Sequence, residues 1–270
     1  MQLICPLCRE PLNQSDKQWG CTNNHRFDSA KEGYINLLPV QKKRSKQPGD
    51  DDEMMRNRQA FLNAGYYNFF AEALANAIRQ HQPNANSLLD LGCGEGFYGE
   101  AIKRQLPDLD IGAIDIAKGG VKRAAKRKIY SSLAVASCRE IPYADASFDA
   151  CLSVFAPLAV EECYRTLKTD GLLVIAGPAP MHLEGLARCI YAEFRKHSSI
   201  IQKLKYSGHF ELIASTTAEQ TVTIKGDAIY QLLTMTPYYW HASPEVQTAL
   251  KEMTELNTPL AFEIHCLRKI

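Results

Sequence analysis

Four residues near the start of the chain have types and spacing suited to a metal ion. Cys5-Pro6-Leu7-Cys8, followed by Cys21 and His25, gives the pattern C-x2-C-x12-C-x3-H. Zinc takes four thiolate or imidazole ligands in a tetrahedron, at about 2.0–2.3 Å. A C-x2-C pair on a tight turn presents two thiolates to one ion, and a second pair after a hairpin-length spacer closes the shell. Four protein ligands leave no open position, so the predicted ion is structural. It substitutes for a core that a segment of about forty residues cannot build alone.

A second set of residues suits a nucleotide-like cofactor. Leu88-Leu89-Asp90-Leu91-Gly92-Cys93-Gly94-Glu95-Gly96 reads as a strand running into a glycine-rich turn that opens a helix. Such glycines let the backbone turn sharply and let a ligand approach main-chain amides. Gly94-Glu95-Gly96-Phe97-Tyr98-Gly99 also matches the dinucleotide fingerprint G-x-G-x-x-G, a weak signal when it stands alone. Asp90 and Glu95 argue against a dianionic pyrophosphate, which two nearby carboxylates would repel. They suit a ligand with an ammonium and a sulfonium, such as S-adenosylmethionine (SAM). Asp115 ends the next predicted strand, 19 residues after Gly96, where a carboxylate can accept both ribose hydroxyls.

These residues need a scaffold, and the pattern supplies one. From Met54 apolar residues recur at helical steps (Phe61, Leu62, Tyr66, Phe69, Phe70, Leu74, Ile78) up to Pro83. Strands are then predicted at 88–91, 111–116, 133–136, 150–154 and 172–176, with helical stretches between most of them. That alternation predicts an α/β fold, a mostly parallel sheet with helices on both faces. Beyond it the pattern predicts a helix over 181–206 and a strand over 210–223. Helices near 227–233 and 244–256 and a last strand over 260–267 complete the reading. Residues 41–53 hold a basic run, Pro48-Gly49 and an acidic run, the composition of a linker. The predicted division is therefore a zinc module at 1–40, a linker at 41–53 and a catalytic domain at 54–270.

Composition narrows the class. The 270 residues are 46% hydrophobic and 23% charged with a net charge of +1, ordinary for a soluble globular protein and unlike a uniformly basic nucleic-acid coat. No stretch approaches the ~18 apolar residues of a membrane span, and the N-terminus lacks the pattern of a signal peptide. Both predict a reducing cytoplasm, where the clustered cysteines hold metal. Cys93, Cys138, Cys151, Cys163, Cys189 and Cys266 are then expected as buried free thiols.

The cofactor turn, Asp115, the stretch Ile141-Pro142-Tyr143-Ala144-Asp145-Ala146-Ser147-Phe148-Asp149-Ala150 and Arg165-Thr166-Leu167-Lys168-Thr169-Asp170-Gly171 resemble successive motifs of class I SAM-dependent methyltransferases. That resemblance implies a Rossmann-like sheet and places Ala136 and Ser137 along the adenine. Four further stretches widen the likeness: the Cys/His pattern, Ala30-Lys31-Glu32-Gly33-Tyr34-Ile35-Asn36-Leu37-Leu38-Pro39-Val40, Gly177-Pro178 and Met235-Thr236-Pro237. With them the whole chain resembles the zinc-containing 23S rRNA (guanine-N1) methyltransferases. The resemblance implies a 23S rRNA hairpin as partner, recognised with help from the zinc module, and cofactor contacts from Tyr67 and His182. A homodimer is compatible with it.

The residues permit an RNA partner independently. Up to Lys46 the chain has eight Lys/Arg against four Asp/Glu, with Trp19, Phe27 and Tyr34 interleaved. Positive charge tracks phosphates and aromatic faces stack on unpaired bases. A second basic run (Lys118, Lys122, Arg123, Lys126, Arg127, Lys128) reads as a solvated helix face. Guanine N1 is protonated at neutral pH, so an acceptor near it is expected. Glu161, Glu162 and His182 are the nearest titratable candidates, none assigned as catalytic. The competing reading is a SAM-dependent methyltransferase of a small molecule, with the zinc module structural.

Overall fold

The computed structural model describes residues 1–39, 41, 51–203 and 208–270. Most of the predicted linker, including Lys42, Lys43, Arg44, Lys46 and Pro48-Gly49-Asp50, lies outside the described residues.

The N-terminal segment forms a three-stranded antiparallel sheet of β1 (Asn13–Ser15), β2 (Gln18–Gly20) and β3 (Arg26–Asp28). It does not stand apart from the rest. The two residues of β4 (Ile35–Asn36) pair in parallel with Ala134 and Val135 at the edge of the large sheet. Leu3 and Cys5 pack in the same apolar cluster as the sheet residues Leu89, Leu91 and Ile175.

The helical pattern after Met54 resolves into two helices, α1 (Asp52–Asn63) and α2 (Asn68–His81). Asp51, in extended backbone, caps α1 by accepting from the Glu53 and Met54 amides. Gly65, at a φ of 88° that suits glycine, turns the chain between the two helices.

The strands β5 (Ser87–Leu91), β6 (Asp110–Asp115), β7 (Ser132–Val135), β8 (Phe148–Val154), β9 (Leu167–Pro178), β10 (Phe210–Lys225) and β11 (Glu255–Lys269) join β4 in one eight-stranded sheet of order β10-β11-β9-β8-β5-β6-β7-β4. The strands from β4 to β9 run parallel, and β11 and β10 are antiparallel additions. Alternate residues of each strand serve opposite faces. Leu88, Leu152 and Val174 meet Phe70 and Leu74 of α2, whereas Leu89, Cys151 and Leu173 face Leu3, Ile35 and Tyr143. The remaining helices are α3 (Phe97–Gln105), α4 (Lys118–Lys126), α5 (Val160–Thr166), α6 (Glu184–Ile190), α7 (Asp227–Thr234) and α8 (Pro244–Glu252).

Two expectations differ from what is observed. Among the described residues, the helix predicted over 181–206 is confined to α6, followed by irregular chain and a 3-10 turn at Ile200–Lys203, and residues 204–206 lie outside the described residues. After Ile190 the sequence lacks an apolar stripe: Arg195, Lys196 and two serines interrupt it. The last two strands are also longer than expected, because antiparallel pairing between β10 and β11 runs over fifteen register positions, past the apolar core of each.

Candidate functional site

Sequential strands diverge to either side of β5, with β6 on one flank and β8 on the other. In such a sheet the ligand crevice forms at the carboxyl ends of the strands where the order reverses. Every predicted cofactor residue except Tyr67 follows or ends a strand at that edge. The turn 92–96 follows β5, Asp115 closes β6, Ala136 and Ser137 follow β7, and His182 follows β9.

A cavity of ≈ 560 Å³ opens there. Its wall includes Tyr67, Gly92, Gly94, Glu95 and His182 of the predicted set, together with Arg58, Phe155, His197, Tyr238 and Trp240. Asp90, Gly96, Asp115, Ala136 and Ser137 are not among its lining residues. They are grouped behind and beside the turn.

The turn itself is tightly determined. Gly92, Gly94 and Gly96 have φ of 76°, 54° and 89°, where a side chain would be strained. A Cβ on Gly92 would also lie 2.5 Å from the Ala156 methyl. Both Asp115 oxygens face backbone amides: Oδ2 accepts from Gly94 N–H at 2.8 Å and Oδ1 from Ala117 N–H at 2.7 Å. Asp115 thus ties the turn to the start of α4. Ser137 Oγ accepts from the Arg139 amide at 3.2 Å, and Ala136 is buried.

Asp90 and Glu95 carry less negative charge toward the cavity than their count suggests. Asp90 is buried beneath the turn and accepts a hydrogen bond from Tyr130 Oη at 2.9 Å. Burial, and to a smaller extent the charge of Asp115, push its carboxyl up to about 7 despite that bond. Glu95, only 1% exposed, is ion-paired through Oε2 with the Arg127 guanidinium. Arg127 Nε also donates to Glu95 O at 2.9 Å, and a second ion pair joins Arg127 to Glu100 on α3. Repulsion of a pyrophosphate by two bare carboxylates is therefore too simple a reason for the turn's preference. The basic run 118–128 reads in the sequence as a solvated face, but Arg127 points inward. Its position one residue past α4, after small Ala124 and Ala125, was the available signal.

One oxygen remains. Glu95 Oε1 is buried without a hydrogen-bond partner among the described residues, and Glu95 lines the cavity. An orphaned carboxylate oxygen at a cavity wall is costly unless a ligand donor satisfies it. The ammonium of SAM is such a donor, so the residues present fit this cofactor.

Two aromatic contacts shape the far wall. Tyr67 is buried against Phe61 and Phe262. His182, also buried, packs on Phe262 with ring centroids 4.6 Å apart. Its Nδ1 accepts from the Ala261 amide at 3.2 Å, and burial lowers its pKa to about 3. A ring that accepts at Nδ1 and stays neutral carries its proton on Nε2, so it offers a donor and not a base. The carboxylates considered as candidate bases are occupied elsewhere. Glu162 holds Arg165 and the Ile141 amide, and Glu161 pairs with His209.

The four N-terminal ligand residues converge as predicted. Their ligand atoms all lie within 4.8 Å of one another. Cys5 Sγ and Cys21 Sγ are each 3.4 Å from His25 Nδ1, and Cys8 Sγ is 3.7 Å from Cys21 Sγ. Those edges match a tetrahedron of zinc-length bonds, whose S···S and S···N edges are about 3.5–3.8 Å. Zinc bound there would clamp the Cys5–Cys8 knuckle to the β2–β3 hairpin, with His25 ligating through Nδ1. Of the other cysteines Cys93, Cys151, Cys163 and Cys266 are buried, and Cys138 and Cys189 are half-buried.

The strand order and the glycine turn at its reversal point belong to the class I SAM-dependent methyltransferases, and a methyltransferase-domain sequence profile matches residues 89–175. A solved SAM-dependent methyltransferase from Thermotoga maritima shares the fold at a TM-score of 0.51 and 18% identity, covering 81% of this chain and 98% of its own. The zinc-ribbon profile described as RlmA, N-terminal, matches residues 3–46. The 23S rRNA (guanine(748)-N(1))-methyltransferase of Streptomyces fradiae is 30% identical over 247 residues, 90% of this chain and 87% of its own. A candidate 23S rRNA (guanine-N(1)-)-methyltransferase of Micromonospora griseorubida is also 30% identical, over 92% of this chain and 90% of its own. The chain belongs to the 23S rRNA (guanine-N1)-methyltransferase family.

Proposed function

We propose that this protein transfers a methyl group from SAM to N1 of a guanine in a hairpin of 23S rRNA, in the cytoplasm, with residues 1–40 helping to seat the RNA. The observation that carries the reading is the 30% identity to a guanine-N1 methyltransferase across nearly the whole of both chains, zinc ribbon included. A cavity that joins the glycine turn to an aromatic mouth supports it.

SAM supplies an electrophilic methyl group when bound. Gly92, Gly94 and Gly96 form the turn that would hold it, Asp115, Ala136 and Ser137 are the residues that would serve its nucleoside end, and Asp90 supports the turn from below. Glu95 Oε1 is the acceptor suited to the ammonium, and Tyr67 and His182 close the wall beyond it. Methyl transfer is an in-line displacement, so these residues act mainly by positioning donor and nucleophile. The guanine must leave its stack to reach the cavity. The N1 proton passes to water as the methyl group leaves the sulfonium for N1. Negative charge builds on O6 as that proton departs, and the Nε2–H of His182 is a donor for charge developing in the cavity.

Incubation of the purified protein with methyl-labelled SAM and unmodified 23S rRNA tests the reading. Label is expected in the RNA, at one guanine. Label transferred only to a small-molecule acceptor, with none in RNA, overturns it.

A further inference from the structure

Trp240 stands out among the apolar side chains. The residue is 70% exposed, more than any other large hydrophobic residue described, yet it lines the cavity that contains the cofactor turn. A tryptophan left in water forgoes the burial that usually explains its presence, and its exposure invites a partner.

Loose chain does not account for the exposure. Trp240 ends a 3-10 turn, Pro237–Trp240, that is fastened from both sides. Before it, Arg58 donates to the Met235 carbonyl at 3.4 Å and Thr236 Oγ1 to the Leu233 carbonyl at 2.9 Å. Within it, Tyr238 Oη is hydrogen-bonded to His197 Nε2 at 3.1 Å. After it, Gln247 Nε2 donates to the carbonyls of Tyr239 and Ala242. The Tyr239 ring meets the indole edge-on, with centroids 5.1 Å apart and planes at 77°. The indole is presented on a fixed support.

Phe155, 45% exposed and lining the same cavity, is held at a φ of 52° that a bulky residue rarely adopts. Two exposed aromatic residues on separate elements thus border one cavity, which the basic residue Arg58 also lines. Exposed aromatic faces next to a cation suit unpaired nucleobases on a phosphate backbone.

We infer that Trp240 is a substrate-stacking residue, on which an unpaired base of the RNA lies at the mouth of the cavity. The inference rests on the RNA reading given above and adds the residue that holds the RNA there. Its expected reach is to RNA binding and not to SAM, because Trp240 belongs to the 3-10 turn Pro237–Trp240 and not to the glycine turn at 92–96.

The test compares wild type, Trp240→Ala and Trp240→Phe on an unmodified 23S rRNA transcript. KM for RNA and kcat are measured at saturating SAM, and SAM affinity by calorimetry. Trp240→Ala is expected to raise KM for RNA about tenfold to a hundredfold, the range for loss of one base stack. Trp240→Phe should recover most of that, and SAM affinity should be unchanged in both. In a Trp19→Phe background, Trp240 is the one indole left, and its fluorescence should be quenched on titration with the transcript. An unaltered KM in Trp240→Ala, with wild type active on RNA, overturns the stacking role alone. A parallel loss of SAM affinity does so too, by showing that the residue is structural. No transfer to RNA by wild type overturns the substrate reading and the stacking role together.

Discussion

Replacing Arg127 by methionine removes a guanidinium whose side chain is 9% exposed from a carboxylate that is 1% exposed. Glu95 then keeps Gln59 Nε2, at 3.3 Å, as its remaining side-chain donor. Taking one partner from a buried ion pair costs about 3–5 kcal/mol, since the other charge stays desolvated. The second pair, to the 31%-exposed Glu100, is screened and adds little. A loss near the lower end, about 3 kcal/mol, is therefore expected. At roughly 2–4 °C per kcal/mol for a domain of this size, Tm should fall by about 6–12 °C. Calorimetric unfolding reads that change directly. SAM affinity should also weaken by about tenfold or more, as the carboxylate of a cavity-lining residue loses its anchor. Adding Glu95→Gln to Arg127→Met should restore part of the Tm, because the uncompensated charge is gone. A variant within about 1 kcal/mol of wild type, or strictly additive effects in the double mutant, would refute the reasoning.

Other expectations follow from the same site. Asp90 is held near 7 against an ordinary 3.8, so the folded chain retains its proton between those values and loses the associated stability as pH rises through about 7. Asp90→Asn should then unfold at a higher Tm than wild type at pH 8, with the gain shrinking toward pH 4. His182 has the opposite sign of pH dependence: its pKa falls to about 3 on folding, so the unfolded chain takes up the extra proton and stability drops as pH falls below about 6.5. Tm measured from pH 7 to 4 should decline less steeply in His182→Gln. Gly99→Ala places a Cβ 2.4 Å from Tyr130 Oη and 2.8 Å from Asp90 Oδ2. It should cost about 1–3 kcal/mol in denaturant unfolding and weaken SAM binding. Chelation of zinc should release the N-terminal hairpin and raise hydrogen exchange at β4 and β7, because Ile35–Asn36 is the edge strand of the sheet and pairs with β7.

The zinc ligands and the glycine turn were legible in the sequence because each depends on local spacing. The buried strands were legible too, as short apolar runs between turn signals. What stayed hidden depends on partners distant in the chain. The charge of Glu95 is answered by Arg127, and nothing in the turn itself shows it. Asp115 accepts from two backbone amides, Gly94 and Ala117, which its place at a strand end did not reveal. The zinc module adds a two-residue strand to the main sheet, too short to carry a periodicity. Trp240 reaches the cavity just past Met235-Thr236-Pro237, whose sequence did not show what it presents, and His197 from a segment with no motif of its own, after α6.

The most direct measurement is nucleoside analysis of 23S rRNA after reaction with the protein and SAM, coupled to primer extension. Methylation at N1 blocks pairing, so a single reverse-transcription stop at a hairpin guanine, with 1-methylguanosine in the digest, is the predicted result. SAM bound at the glycine turn with no 1-methylguanosine formed would contradict the account.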